Sequence, residues 1–171
     1  MEQYFEKNGI KFLDILNDEE IIHWGEGDIK IVGCSLLNEA NEESIILEWG
    51  EKIKVIMLAR TFKDVDCEHI GFGFSFRDRN GLDIIVSTTI EEGREFGPLA
   101  TGDEVLITYE LENILAPGEY LLTFQSEDRT YYMPKYFDFV ENAKIFKVVA
   151  NKRFFSLTQP KIEQKIKINK N

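Results

Sequence analysis

Arg77, Asp83, Thr123 and Gln125 are the residues of this chain whose types and placement could do chemistry, and that chemistry is hydrogen bonding rather than bond breaking. A guanidinium donates, a carboxylate accepts, and an amide and a hydroxyl do both, so the four together suit a ligand rich in polar groups. Arg77 ends the run Ile70-Gly-Phe-Gly-Phe-Ser-Phe-Arg. A strand alternates its side chains with period two, so Phe72, Phe74 and Phe76 point one way and Gly71, Gly73, Ser75 and Arg77 the other. The second set is a smooth strip that ends in a charge, a surface suited to a ligand lying along a sheet.

The elements that must position this strip begin with a hairpin. Asp78-Arg79-Asn80-Gly81 reads as a type I turn with Gly81 in the left-handed position. Burial of the large apolar residues then sets Phe76 opposite Ile84 and Phe74 opposite Val86. On the outward face the same register pairs Arg77 with Asp83, Ser75 with Ile85 and Gly73 with Ser87. A second marker, Pro117-Gly118, turns the chain into a strand that buries Tyr120, Leu122 and Phe124 and leaves Leu121, Thr123 and Gln125 on its other side. Beside the strip, this strand would bring Thr123 and Gln125 next to Ser75 and Arg77.

From His23 onward, short β-rich runs alternate with Gly, Pro, Asn and Asp at intervals of about ten residues, the texture of a sandwich or barrel. Strands are expected near 28–37, 44–49, 52–62, 69–78, 82–90, 104–112, 119–127 and 143–150. Residues 1–22 read as a linker or docking segment with apolar residues among charges, residues 23–158 as the sandwich, and residues 159–171 as a basic tail. A length of 171 residues with 43% hydrophobic content fits one well-cored domain. The net charge of −11 is uneven: the segment from Lys152 to the end is basic, leaving the body at about −16. An acidic body repels phosphate backbones, so no nucleic-acid partner is expected. Without a signal-peptide pattern or a long apolar run, the chain reads as intracellular and soluble, with Cys34 and Cys67 as reduced thiols.

Catalytic patterns are missing. None of the twelve glycines precedes a lysine, which removes the phosphate loop, and no Gly-x-Gly-x-x-Gly run is present. His23 stands before a Trp-Gly turn and His69 begins a strand, neither in the setting of a serine or cysteine triad. Cys34, Cys67, His23 and His69 match no zinc spacing. No cofactor and no metal are expected, and nothing singles out two of the 31 Asp and Glu residues as a hydrolytic pair. Trp24, in His23-Trp24-Gly25-Glu26-Gly27, is expected to cap one end of the core, with the glycines letting backbone pass close to the ring, a role favoured over the alternative of stacking on a ligand. Tyr131 and Tyr132 are adjacent and cannot both point inward, so one of them is expected at the surface. Tyr132 is the candidate, its ring suited to the C–H face of a sugar and its hydroxyl to sugar hydroxyls, although a protein partner would be matched as well.

Three runs carry a family resemblance: His23-Trp24-Gly25-x-Gly27, then Phe72-Gly73-Phe74-x-Phe76-Arg77-Asp78-Arg79-Asn80-Gly81, then Leu115-x-Pro117-Gly118-x-Tyr120-x-Leu122. In this order and spacing, over about residues 20–158, the chain resembles the C-terminal domain of Wzt-type ATP-binding subunits of bacterial polysaccharide ABC exporters. The resemblance implies an all-β, immunoglobulin-like antiparallel β-sandwich of Greek-key type with about eight strands. It also implies non-catalytic recognition of the non-reducing end of a lipid-linked O-antigen-like polysaccharide. Such a domain works on the cytoplasmic side, peripheral to the inner membrane, with the nucleotide-binding domain and membrane subunit of an exporter as partners. Where relatives often carry Arg this chain has His23, and in place of a Gly-Thr-Asn-Thr-like run it has Val86-Ser87-Thr88-Thr89. Some relatives pair through exchanged C-terminal strands, which makes Arg153–Leu157 a candidate crossing segment in a homodimer. The glycan-binding set expected from the residues and the resemblance is Gly73, Ser75, Arg77, Asp83, Ser87, Thr123, Gln125 and Tyr132. The alternative is an immunoglobulin-like protein-interaction module that binds no glycan.

Overall fold

The computed structural model describes residues 2–168, so Met1 of the expected N-terminal segment and residues 169–171 of the expected tail lie outside the described residues. Two sheets form a sandwich. Sheet A has the order β1 (Tyr4–Lys7), β2 (Ile10–Asp14), β4 (Ile29–Leu37), β6 (Lys52–Thr61) and β9 (Glu104–Glu112). Sheet B has the order β3 (Ile22–Trp24), β11 (Lys135–Val149), β10 (Gly118–Asp128), β7 (Ile70–Arg77) and β8 (Asp83–Thr88). A short β5 (Ile46–Glu48) runs parallel to the end of β11, and the other strand pairings are antiparallel. The eight expected strands are all present. Those not foreseen are β1, β2, β3 and the first half of β11.

The core lies between the sheets and is built from the period-two positions. Phe72, Phe74 and Phe76 of β7 and Tyr120, Leu122 and Phe124 of β10 pack against Leu36, Val55 and Met57 of sheet A. Each such side chain contributes roughly 1.5–3 kcal/mol on burial. The chain crosses between sheets after β2, β3, β4, β5, β6, β8 and β9, and β10, returning from sheet A, pairs with β7 rather than β8.

The N-terminal residues form a hairpin on the edge of sheet A. Asn8 and Gly9 both take positive φ, 53° and 74°, as a two-residue hairpin turn requires. Phe5 stacks on Phe12 at 5.4 Å, and a Cβ on Gly33 would fall 2.7 Å from the Phe5 ring. That contact seals a second apolar cluster of Phe12, Val32, Ile56 and Leu58. At the other terminus, residues 153–157 form no strand: Phe154 packs edge-on against Trp49, and the Leu157 carbonyl accepts from Ala116 N–H at 3.0 Å. Trp49 Nε1 also donates to the Gln159 carbonyl at 2.6 Å. No helix among the described residues is long and apolar enough to cross a membrane.

The β7–β8 hairpin keeps its expected turn but not its expected register. Gly81 has φ +81°, and the Asp78 carboxylate accepts from the backbone N–H of Asn80 and Leu82. Arg77 faces Asp83 as foreseen. A β-bulge then follows, so Phe76 faces Ile85, Ser75 faces Val86, Phe74 faces Ser87 and Gly73 faces Thr88. The cause is Ile84 next to Ile85: a bulge places two successive side chains on one side of the sheet, and both isoleucines pack on the core. The regular register had room for only one of them.

Candidate functional site

The outer face of sheet B gathers most of the expected residues. Across β7 and β10, Arg77 stands opposite Leu121, Ser75 opposite Thr123, Gly73 opposite Gln125 and Gly71 opposite Glu127. With the phenylalanines of β7 turned inward, all of these project outward. Arg77 Nε donates to Asp83 Oδ1 at 2.5 Å and its Nη2 to Oδ2 at 3.3 Å, while Ser75 Oγ donates to the same Oδ1 at 2.8 Å. The Ser75 and Thr123 hydroxyls touch in turn, completing a chain from guanidinium to threonine. Burial by itself would raise the Asp83 carboxyl. Hydrogen bonds from Arg77 and Ser75, with the Arg77 charge, outweigh it and hold the group below the usual carboxylate range.

Three expectations for the site are corrected. Ser87 is not on this face: the bulge places it opposite Phe74, where it lines a cleft of about 500 Å³ between the free edges of β8 and β9, and Thr88 takes its position beside Gly73. The glycine strip is not bare. A Cβ on Gly71 would lie 2.6 Å from Ile90 Cδ1, and one on Gly73 would lie 2.9 Å from the Ser87 carbonyl and 3.0 Å from Thr88 Cγ2. The glycines make room for neighbouring protein atoms, which lean over the strand. Gln125 sits beside Gly73 rather than Arg77, and its Nε2 donates to Glu127 at 3.3 Å. Tyr132 is 97% exposed in the turn between β10 and β11, and no hydrogen bond or ring contact among the described residues ties it to the face.

What sequence reasoning missed is aromatic. Trp24 does not cap the core: it is 44% exposed on the outer face, stacked on Phe139 with centroids 4.7 Å apart and edge-on to Tyr136 at 5.2 Å. Tyr136 meets Phe139 at 5.3 Å, and the Arg77 guanidinium lies 5.2 Å above the Phe139 ring. Phe139 is opposite both Gln125 and Trp24, so the aromatic cluster and the polar chain share one surface. Alternation along β3 turns His23 inward and Trp24 outward. The glycines do let backbone pass closely, since Gly27 N–H donates to the Phe137 carbonyl at 2.7 Å and a Cβ on Gly25 would sit 2.6 Å from the same oxygen. It is the ring that faces the other way. A bulge between Tyr136 and Asp138 hid Tyr136 and Phe139, because with it residues three apart share a face.

Charges near the cluster are matched locally. Arg129 bridges Glu127 at 3.0 Å and Glu91 at 2.8 Å, Lys135 pairs with Glu26 at 2.9 Å, and Trp24 Nε1 donates to Glu141 at 3.0 Å. Burial raises the Glu127 carboxyl, with Arg129 opposing. His23 lies beneath the face. Its Nδ1 meets both Asp138 oxygens at 3.0 Å, its Nε2 meets the Ile15 carbonyl at 2.9 Å, and Asp138 also accepts from Ile31 N–H at 2.8 Å. Both ring nitrogens therefore face acceptors, and only the doubly protonated imidazolium satisfies them. Desolvation would lower the His23 pKa, but the bond and charge of Asp138 and the Ile15 carbonyl raise it overall. This histidine anchors the strand that carries Trp24.

The face as built sets an aromatic platform beside hydrogen-bonding groups. The family model described as Wzt C-terminal domain matches residues 20–159. The crystal structure of the C-terminal domain of wzt resembles this fold with a TM-score of 0.75 at 20% identity, covering 86% of this chain and 89% of that one. A Niemann-Pick type C2 protein from Japanese carpenter ant is similar at a TM-score of 0.52 and 12% identity, covering 75% of this chain and 98% of that one. At these identities the two structures speak for the fold alone. No curated protein matches the sequence. With the family model covering residues 20–159, the chain belongs to the Wzt C-terminal domain family, a membership that supports a role in the O-antigen ABC exporter system.

Proposed function

We propose that the outer face of sheet B binds an O-antigen-like polysaccharide at its non-reducing end, without catalysis, on the cytoplasmic side of the inner membrane, and so couples the polymer to an ABC exporter. The observation that carries this reading is the placement of Trp24, Phe139 and Tyr136 on the same surface as the Arg77–Asp83–Ser75–Thr123 chain. Aromatic rings take the C–H faces of sugars, and at their rim the Arg77–Asp83 pair stays partly exposed, held from beneath by the buried Ser75 and Thr123 hydroxyls. Gln125 extends that rim, and the exposed Tyr132 stands ready to meet a longer polymer. An open sheet face binds each sugar weakly and gains affinity by engaging several in a row. The partners in this reading are the polysaccharide and the nucleotide-binding domain and membrane subunit of the exporter.

A homodimer built by exchange of C-terminal segments belongs to the same proposal. Ile162, Ile166 and Ile168 are 64%, 79% and 74% exposed and alternate with lysines, the pattern of a strand awaiting a sheet edge. Titration with the producing organism's own O-antigen tests the binding reading. Saturable binding that falls at least tenfold in Trp24→Ala and in the Arg77→Ala/Gln125→Ala pair is expected. Absence of binding by the unmodified protein, or affinity untouched by both variants, would overturn it.

A further inference from the structure

We infer that the polymer taken by this face is uncharged, an inference that rests on the proposed glycan reading and narrows its substrate class. The argument starts from where the cations are. Near the aromatic cluster the positive side chains are Arg77, Arg129 and Lys135, each within hydrogen-bonding distance of a carboxylate, while the exposed Lys147 of β11 stands eight residues beyond Phe139, opposite Glu119 at the far end of the face. Arg77 is held by both oxygens of Asp83, and Asp83 is fixed a second time by Ser75. Arg129 is shared between two glutamates. Among the described residues of the face, then, no guanidinium is left to form the bidentate contact by which proteins recognise a uronate or a phosphate.

Displacing the internal partners would not help an acidic sugar. To reach Arg77 it must expel Asp83, whose carboxylate then loses its cation on a surface that also carries Glu91, Glu127 and Glu141. The body of the chain, at about −16, adds a long-range repulsion that a polymer with one charge per repeat would meet at every repeat. A neutral polymer meets the opposite conditions. Its hydroxyls donate, and the exposed oxygens of the face belong mostly to carboxylates: the Asp83 side chain is 39% exposed and that of Glu91 65%. Trp24 takes a ring face at no electrostatic cost.

The producing organism's total polysaccharide, split by anion exchange into an unretained neutral fraction and a retained acidic fraction, tests this on the full chain. Saturable binding of the neutral fraction, changing less than about twofold in affinity between roughly 20 and 300 mM salt, is the expected result. Binding of the acidic fraction instead, weakened by salt and lost in Arg77→Gln, would overturn the inference while leaving the glycan reading standing. Binding of neither fraction would overturn both. Asp83→Asn supplies an independent measurement, since it frees the Arg77 guanidinium: a gain of at least tenfold in affinity for the acidic fraction is expected. A variant no better than the unmodified protein toward acidic polymer would refute the ion pair as the excluding element.

Discussion

Replacing Asp138 with asparagine should invert the pH dependence that His23 gives to stability. The His23 ring donates at both nitrogens, to Asp138 at 3.0 Å and to the Ile15 carbonyl at 2.9 Å, and its pKa in the folded protein is raised. A raised folded pKa means that the stabilisation is complete below the unfolded value, about 6.5, and is lost as pH climbs through the folded one. In Asp138→Asn the side-chain amide would still accept from Ile31 N–H through its oxygen and could donate its N–H to a neutral Nδ1, so the number of hydrogen bonds survives. The charge partner does not. Desolvation, already the largest influence on this ring, would then act without the carboxylate and lower the folded pKa. Stability from this group would be lost as pH falls below about 6.5, the reverse of the unmodified protein. The difference between the two proteins should grow as pH falls, level off once pH lies below both folded pKa values, and vanish above the raised folded pKa of the unmodified protein. It should amount to about 1.4 kcal/mol for each unit separating the two folded pKa values. His23→Leu, which leaves the buried Asp138 carboxylate with only Ile31 N–H, should cost more, about 3 kcal/mol near pH 6. Urea melts of the three proteins at half-unit pH steps measure this, with proton NMR of the His23 ring giving the folded pKa directly. Parallel pH profiles for the unmodified protein and Asp138→Asn would refute the reasoning, as would a His23 titration at or below about 6.5.

Trp24→Ala should cost less than about 1 kcal/mol in a urea melt, because the ring is 44% exposed, while reducing polysaccharide affinity at least tenfold by calorimetry. Gly71→Ala should destabilise by about 1–3 kcal/mol as the Ile90 side chain is displaced, and Gly71→Ala/Ile90→Ala should recover part of that loss. The Cys34 thiol, fully buried and pushed up to about 12, should resist alkylation near pH 8 until the protein unfolds; labelling at the rate of a model thiol would contradict its burial. Truncation after Pro160 retains the Gln159–Trp49 contact, so the thermal midpoint should move little, whereas a dimer seen by light scattering for the full chain should become a monomer.

The fold was legible because its core obeys period two. Phe72, Phe74 and Phe76, with Tyr120, Leu122 and Phe124, announce two strands and their inner faces, and the Asp78–Gly81 turn announces how one of them returns. The site was legible only where that regularity held. Arg77 faces Asp83 because the turn alone fixes that pair, and Thr123 faces Ser75 because β7 and β10 pair without a shift. Other expectations failed beyond a bulge or beneath a neighbour, whereas Gln125 falls beside Gly73 because β10 runs antiparallel to β7, and Trp24 faces outward by alternation along β3. The bulge at Ile84 exchanged Ser87 for Thr88, and the one before Asp138 concealed Tyr136 and Phe139. A bulge answers to tertiary burial, here two adjacent isoleucines that both need the core, so no local rule of alternation predicts it. Gly71 and Gly73 carry a different lesson. A glycine in a strand reports that something approaches the backbone, but not whether that something is a ligand or the protein itself. Ile90 supplies the approach at Gly71, from well along the chain. The surface left for a ligand therefore shifts toward β11 and β3, where Trp24 stands, and the most exposed ring of the aromatic cluster is held in place by a histidine proton on the other side of the same three-residue strand.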